Sequence, residues 1–148
     1  MTGTEEAPRR RIVAGVDGSE SSVAALHWAA HQADMTGATL EAIMTWEWPT
    51  DYGWSPPYPA DYDPASQAET FLEEIVAKVQ EQHQDLVVSG RVLEGHPAPV
   101  LVKCSIGADM LVVGSRGHGE FAGMLLGSVS EHCATNAHCP VLVFRDPR

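Results

Sequence analysis

The sequence predicts an α/β protein built on a doubly wound, five-stranded parallel sheet with helices on both faces. Five short apolar runs bounded by turn residues alternate with four segments of helical periodicity, which gives the order βαβαβαβαβ. Strands joined by helices in this way form right-handed crossovers. Because 148 residues suffice for one core and no repeat or linker divides the chain, we expect a single domain over residues 1–148.

The predicted strands cover residues 11–16, 39–46, 86–93, 110–113 and 140–144. The first, fourth and fifth runs are almost continuously apolar, which is typical of strands buried on both faces. The fifth run would need its edge covered if it lay at the side of the sheet.

The predicted helices carry apolar residues at spacings of three and four. The first covers 19–36, with Ser19 as N-cap and Gly37 just beyond its end, and the second covers 65–84. The third begins at Pro97 and stops near residue 107. For the fourth, the run from Ser128 to Glu131 indicates a capping box.

Composition excludes several classes of partner. Nine Lys and Arg against twenty Asp and Glu give a net charge of −11, which repels nucleic acid. No apolar run is long enough for a membrane span or a signal peptide. The three cysteines form an odd count without CxxC spacing, which suits a reducing compartment. We therefore expect a cytoplasmic protein that binds neither nucleic acid nor membrane.

Residues 46–64 interrupt the pattern. This segment holds three of the four Trp, all three Tyr and five of the ten Pro. Connections of this length are usually functional or disordered. Two interpretations stay open: an aromatic flap over apolar edges, or a lid over a ligand at the carboxyl end of the second strand.

The most informative stretch is the glycine-rich segment 114–128. It contains glycines at positions 114, 117, 119, 123 and 127 and ends at Ser128, where the fourth helix is predicted to begin. Backbone amides without Cβ neighbours, followed by a helix N-terminus, form an anion site, and ligands of such sheets bind at the carboxyl ends of the strands. The segment therefore indicates phosphate binding, and the alternative is a glycine-rich connection that only turns the chain.

The spacing Gly114-x2-Gly117-x9-Gly127-Ser128 resembles the ATP-binding signature of the universal stress protein family. Two further stretches are similar to that family, namely Val-Asp-Gly-Ser at 16–19 and Pro-Val-Leu-Val at 140–143. The resemblance implies a parallel sheet of strand order 3-2-1-4-5, binding of ATP or a related adenine nucleotide, and a dimer. In that strand order the fifth strand lies at an edge, so we expect a homodimer through the strand at 140–145.

Carried over by position, the resemblance implies a set of cofactor-binding residues. Gly15, Val16 and Asp17 would face the ribose and phosphates, Thr45 would lie against adenine, and Val113 and Gly114 would frame the nucleotide. Five residues would cradle the phosphates: Gly117, Gly119, Gly127, Ser128 and Val129. From their place in the same glycine-rich segment, and not from the resemblance, we add Ser115, Arg116 and His118 as candidates for the phosphate side. For Arg116 and His118, a solvated surface position is the alternative. Asp17 would help to hold Mg²⁺ or Mn²⁺ with the phosphates.

Catalytic patterns are sparse. The sequence has no GxxxxGK[ST] and no GxSxG, and we assign no catalytic residue. Consecutive His-Cys pairs at 132–133 and 138–139 point their members in different directions, which disfavours zinc. The predicted function is an ATP-binding regulatory protein of stress or dormancy. The alternatives are a slow ATPase or phosphotransferase using the same pocket, and a nucleotide-independent interaction module.

Overall fold

A computed structural model describes residues 10–48, 59–116 and 126–145. In these ranges five strands form one sheet of order β3-β2-β1-β4-β5, with every neighbouring pair parallel. The predicted fold class and strand order are confirmed. The elements follow the chain as β1 (Arg11–Gly15), α1 (Glu20–Thr36), β2 (Thr39–Trp46), α2 (Pro64–Gln82), β3 (Val88–Glu94), α3 (Pro97–Cys104), β4 (Met110–Gly114), α4 (Ser128–Asn136) and β5 (Val141–Phe144).

Alternation along the central strands divides the core into two layers. Ile12 and Ala14 of β1 pack with apolar residues of α1 and α2, whereas Val13 packs with Leu101 of α3 and Cys133 of α4. Helices α1 and α2 thus cover one face of the sheet, and α3 and α4 cover the other. None of the helices within 10–48, 59–116 and 126–145 has the length and apolar character that crossing a membrane requires.

The central pairing of β1 with β4 begins at two residues far apart in the chain. The Asp109 N–H donates to the Arg11 carbonyl oxygen at 2.9 Å, and the Arg11 N–H donates to Asp109 Oδ2 at 2.7 Å. These two residues are 98 positions apart in sequence. The reciprocal bonds fix the register in which Ile12 lies beside Met110.

Most helix ends agree with the sequence. Ser19 caps α1 by accepting from the Ser22 N–H, and Gly37 ends this helix in the left-handed region at φ 74°. The capping box predicted at Ser128 is wrong, because Gly127 is the N-cap and Ser128 is already the first helical residue. The Gly127 carbonyl accepts the Glu131 N–H, so the N-cap lies one residue before Ser128, while α4 itself begins at Ser128 as predicted.

Aromatic rings join the two described ends of the segment 46–64. Trp46 and Trp48 stack edge to face with centroids 5.6 Å apart, and the Trp48 ring lies 6.1 Å from that of Tyr62. The chain therefore leaves β2 and enters α2 beside the same aromatic group. Residues 49–58, on which the flap and lid interpretations depend, lie outside the described ranges.

Candidate functional site

A pocket lies at the carboxyl edge of the sheet, at the end of β1. Strand β1 has β2 on one side and β4 on the other. This is the switch point at which open α/β sheets bind ligands. Its volume is about 490 Å³ when the space at its open mouth is counted. The lining residues come from every central strand and from α1, α3 and α4: Gly15, Val16, Asp17, Ser22, Ile43, Thr45, Pro97, Leu101, Val113, Gly114, Arg116, Gly127, Val129 and Ser130.

Most of the residues predicted for a nucleotide site line this pocket. The set that does so is Gly15, Val16, Asp17, Thr45, Val113, Gly114, Arg116, Gly127 and Val129. Ser115 is buried behind the wall and Ser128 is exposed beside it, and neither lines the pocket. Gly117, His118 and Gly119 lie outside the described residues.

Sequence reasoning missed five lining residues. Ser22 follows Asp17 within the first turn of α1, and Ile43 lies two residues before Thr45 on the same face of β2. Pro97 and Leu101 belong to α3, which begins directly after the carboxyl end of β3. Ser130 stands in the first turn of α4. Period-two alternation from Thr45 could have indicated Ile43 as a lining residue. Leu101 is indistinguishable from a core residue in the sequence, because its packing partners are apolar.

Asp17 is held by the start of α1. Its Oδ1 accepts from the Ser19 N–H at 2.9 Å, and its own N–H donates to Ser22 Oγ at 3.1 Å. The Ser22 hydroxyl in turn donates to the Ser19 carbonyl at 3.0 Å. These bonds form an Asx-type turn, which orients the exposed carboxylate at the rim of the pocket.

The buried Ser115 backbone ties together three elements at the far side of the pocket. Its N–H donates to the Phe144 carbonyl of β5 at 2.8 Å, and its carbonyl accepts the Gly127 N–H at 2.6 Å. The same carbonyl accepts the Ser130 hydroxyl at 3.1 Å. The two ends of the glycine-rich segment are therefore fixed to each other, and α4 starts at the wall of the pocket.

This arrangement defines what the α4 end can offer a ligand. The Gly127 N–H is already bonded to Ser115, so Gly127 contributes its position and its lack of a side chain. The following N–H groups of the first turn, at Val129 and Ser130, have no acceptor inside the helix. Together with the helix dipole they favour an anion at this end of the pocket.

The opposite part of the pocket is apolar. Ile43, Leu101 and Val113 form its floor, and each of them is nearly or fully buried. A Cβ at Gly15 would lie 2.7 Å from Leu101 Cδ1, so the glycine lets α3 approach β1 closely enough to complete this floor. The floor thus offers a surface for a flat, apolar group, and Asp17 and the start of α4 supply the polar side of the same pocket.

Charge in the pocket is sparse. Among the lining residues that the structure describes, Arg116 is the one cation and Asp17 the one carboxylate. The described ranges contain no group of three or more His, Cys, Asp or Glu side chains placed to hold a metal ion. Asp17 is the lining residue that would hold a divalent cation, and a ligand would have to supply further oxygens, since one carboxylate alone is a poor cation site.

The whole-chain pattern identifies the family. Residues 8–145 match the model of the Universal stress protein family. The chain belongs to the universal stress protein family. A universal stress protein of Mycobacterium tuberculosis is 34% identical over 146 residues, which cover 98% of this chain and 52% of the relative. A universal stress protein of Mycolicibacterium smegmatis is 39% identical over 140 residues, covering 93% and 46%. The chain thus spans about half the length of these curated relatives.

Solved structures of universal stress proteins share the fold. A crystal structure of a universal stress protein in complex with cAMP is 26% identical, with a TM-score of 0.70, and the match covers 95% of this chain and 100% of that one. UspA from Lactobacillus plantarum is 20% identical with a TM-score of 0.76, again over 95% of this chain and 100% of that chain, and shares the fold.

Proposed function

We propose that this universal stress protein binds ATP, or a closely related adenine nucleotide, and acts as a cytoplasmic regulatory nucleotide binder in stress or dormancy. The observation that carries the proposal is the division of one pocket into an apolar floor and a helix N-terminus. The relative crystallised with cAMP supports an adenine nucleotide as the ligand class.

The adenine ring fits the floor formed by Ile43, Leu101 and Val113. Burying a flat ring against these side chains gains about 25 cal/mol for each Å² of apolar surface removed from water. Thr45 borders this floor and offers a hydroxyl and backbone groups for the polar edge of the base. The ribose then lies toward Asp17, whose carboxylate accepts hydroxyl donors.

The phosphates extend toward α4 and the glycine-rich segment. The first-turn amides at Val129 and Ser130, with Arg116 beside them, supply donors and positive potential. Mg²⁺ or Mn²⁺ bound between phosphate oxygens would compensate the Asp17 charge, directly or through water. The Ser115 carbonyl contributes by holding the start of α4 in place.

We further propose a homodimer through the outer edge of β5. Val141 to Phe144 are all half-buried, and β5 is the last strand of the sheet on its side. The Pro140 and Phe144 carbonyls bond toward β4, so the backbone groups of Val141 and Val143 point outward. Antiparallel pairing with the same strand of a second copy would satisfy these groups.

Nucleotide binding is tested by a pair of substitutions at Gly127. Its backbone, at φ −73° and ψ 167°, has the extended geometry that suits Asp and Asn as helix N-caps. We expect Gly127→Asp to abolish ATP binding, because its carboxylate lies where the phosphates approach. Gly127→Asn has the same size without the charge and should lose far less affinity.

Titration calorimetry with ATP, with folding monitored by circular dichroism, distinguishes these outcomes. Equal ATP affinity for folded Gly127→Asp and Gly127→Asn would refute the phosphate position. Mass spectrometry of ligand released from the purified protein identifies which nucleotide it carries, and absence of any ATP binding by the unmodified chain would refute the function itself.

A further inference from the structure

The edge strand β3, on the side of the sheet away from β5, is flanked by a groove on each face. On the α3 face the groove is lined by Arg11, Arg91, Leu93, Glu94, Val100, Lys103, Cys104 and Ile106 and has a volume of about 820 Å³ with its open mouth counted. On the α2 face it is lined by Glu69, Leu72, Glu73, Val76, Ala77, Gln80, Gly90 and Val92 and has a volume of about 900 Å³. Neither groove shares a residue with the nucleotide pocket.

The backbone of β3 presents hydrogen-bonding groups outward. The Val87 carbonyl accepts from the Leu40 N–H, and the Gly95 N–H donates to the Trp46 carbonyl, each at 2.9 Å. Odd-numbered residues of this strand therefore bond toward β2. Since successive residues of a strand direct their N–H and C=O groups to opposite sides, Gly90 and Val92 direct theirs away from β2, at the end of the sheet in the described ranges.

The groove on the α3 face is basic in an acidic protein. Three of the nine Lys and Arg residues of the chain line it against one carboxylate, that of Glu94, whereas the chain as a whole carries −11. The Arg11 side chain is bonded within the fold, because its Nη2 donates to the Cys104 and Ile106 carbonyls at 3.2 and 2.9 Å. Arg91 has a side chain 52% exposed, and Lys103 is exposed. These two cations remain accessible to a ligand beside apolar Leu93 and Ile106.

Glu41 decides what kind of anion this groove accepts. Its Oε1 lies 3.2 Å from Arg91 Nη1 and 3.7 Å from Arg11 Nη1, so a carboxylate already occupies the position between the two guanidinium groups. A small free anion would have to displace it. A ligand that spreads its acidic groups along the strand reaches Arg91 and Lys103 from the open side and leaves Glu41 in place.

The groove on the α2 face favours a different side chain. Leu72, Val76 and Val92 form an apolar surface, and a Cβ at Gly90 would lie 2.9 Å from Leu72 Cδ2, which shows how closely α2 approaches the strand. Glu69 and Glu73 at the rim repel acidic groups. An apolar side chain is the best occupant on this face.

We propose that the outer edge of β3, the last strand on its side of the sheet within the described ranges, binds an extended segment of a partner protein in which acidic residues alternate with apolar residues. Added as a sixth strand, such a segment places every second side chain on the same face. Its acidic residues then contact Arg91 and Lys103, and its apolar residues contact the surface formed by Leu72, Val76 and Val92. Its main chain bonds to the outward groups of Gly90 and Val92.

Charge argues against a second copy of this chain as the occupant. Antiparallel pairing of β3 with itself about its centre, within Val88–Glu94, would set Arg91 opposite Arg91 of the other copy. An acidic segment instead meets opposite charge. The more distant carboxylates of the protein oppose it little, because the screening length is about 8 Å at physiological ionic strength.

The test uses a fluorescein-labelled peptide of alternating glutamate and valine, long enough to span β3, with its ends blocked. We expect saturable binding by anisotropy, and new protection of the Gly90 and Val92 amides in hydrogen exchange followed by NMR. Arg91→Glu combined with Lys103→Glu should weaken binding by about tenfold or more. Lys78→Glu, which makes the same charge reversal as either single substitution but on the exposed α2 surface outside both grooves, should leave it within about twofold.

Two backbone controls test the added strand. Val92→Pro removes an outward N–H that no β2 group uses, so the fold should persist while binding is lost, whereas Val92→Thr should retain binding. A peptide with N-methyl groups on every second residue should bind only in the register that directs its methylated amides away from β3. The proposal is overturned if a lysine–valine peptide binds equally well, if the glutamate–valine peptide does not bind, or if Gly90 and Val92 gain no protection.

Discussion

Ser21 and Gly114 meet where the start of α1 crosses the end of β4. A Cβ at Gly114 would lie 2.6 Å from Ser21 Oγ and 3.0 Å from the Ser21 carbonyl carbon. Because backbone as well as side chain lies in the way, this contact leaves no room for any side chain at position 114. It also brings the α1 N-terminus, with Asp17, against the strand that carries the glycine-rich segment.

Gly114→Ala should therefore lower the free energy of unfolding by about 1–3 kcal/mol, the usual cost of overpacking. Urea denaturation measures it. Gly15→Ala is the matched control, because the Cβ there meets Leu101 Cδ1, the far end of a flexible side chain, at 2.7 Å. A smaller loss for Gly114→Ala than for Gly15→Ala would contradict the assigned contact.

ATP binding should depend on a divalent cation. Two like unit charges about 4 Å apart repel by roughly 4 kcal/mol at an effective dielectric of 20, whereas a helix N-terminus returns about 0.3–2 kcal/mol. Excess EDTA should therefore weaken binding, as calorimetry would measure. Asp17→Asn keeps an oxygen for the Ser19 N–H while removing the charge, and should lessen the dependence on Mg²⁺. Full affinity in EDTA would contradict a bridging cation.

Turnover of ATP should be weak. Phosphoryl transfer needs a positioned nucleophile and cations that follow the developing charge, and Arg116 is the one cation among the lining residues that the structure describes. We expect hydrolysis far below about 10 s⁻¹, the median for enzymes. Phosphate release with Mg²⁺ measures this. Enzyme-like rates that Asp17→Ala abolishes would show that the protein is an ATPase.

The β5 edge should control oligomeric state. Val143→Glu places a charge in the proposed dimer contact and should give monomer or insoluble protein, whereas Val143→Thr keeps the branched shape and should remain dimeric. Light scattering coupled to size exclusion distinguishes the two. A monomeric unmodified protein at micromolar concentration would contradict the dimer.

The buried thiol of Cys133 predicts a loss of stability in alkali. Burial raises its pKa from 9.0 to about 11. The unfolded chain therefore releases this proton first as pH rises. The thiol's contribution to the free energy of unfolding is intact below pH 9 and is lost as the pH rises through about 11. Urea midpoints measured from pH 8 to 11.5 should fall less steeply for Cys133→Ser. Parallel profiles for the two proteins would contradict this assignment.

The sequence predicts the helices and strands well where hydrophobic periodicity agrees with the capping and turn residues. Ser19 and Gly37 bracket α1 as expected, because capping chemistry is local. The start of α4 at Ser128 is predicted, but its N-cap is misplaced by one residue, since Gly127 and Ser128 are both acceptable caps and a tertiary bond from Gly127 to Ser115 decides between them. The strand order came from the resemblance, because periodicity does not encode which strands are neighbours.

The site is predictable where backbone chemistry matters and less so where packing does. Glycine spacing and Asp17 point to the pocket directly. Leu101 carries no local signal, because an apolar residue on a pocket floor looks like one in the core, and Ile43 is indicated only by its period-two spacing from Thr45. Ser130 is also hidden, since its role depends on the distant Ser115 carbonyl. Leu101 and Ser130 owe their places in the pocket to contacts across the fold, whereas Ser22 bonds only locally, to Asp17 and Ser19.

The pairing of Arg11 with Asp109 has a consequence for how the chain folds during synthesis. β1 can pair with β2 early, but its other side waits for a strand that begins about one hundred residues later. At about 5–20 residues per second, the ribosome needs roughly 5–20 s to supply it. Throughout that interval the strand destined for the middle of the sheet has an open side. Crowded nascent chains could then exchange strands, with β1 of one chain accepting β4 of another, so synthesis rate and chaperone access will govern the yield of correctly closed protein.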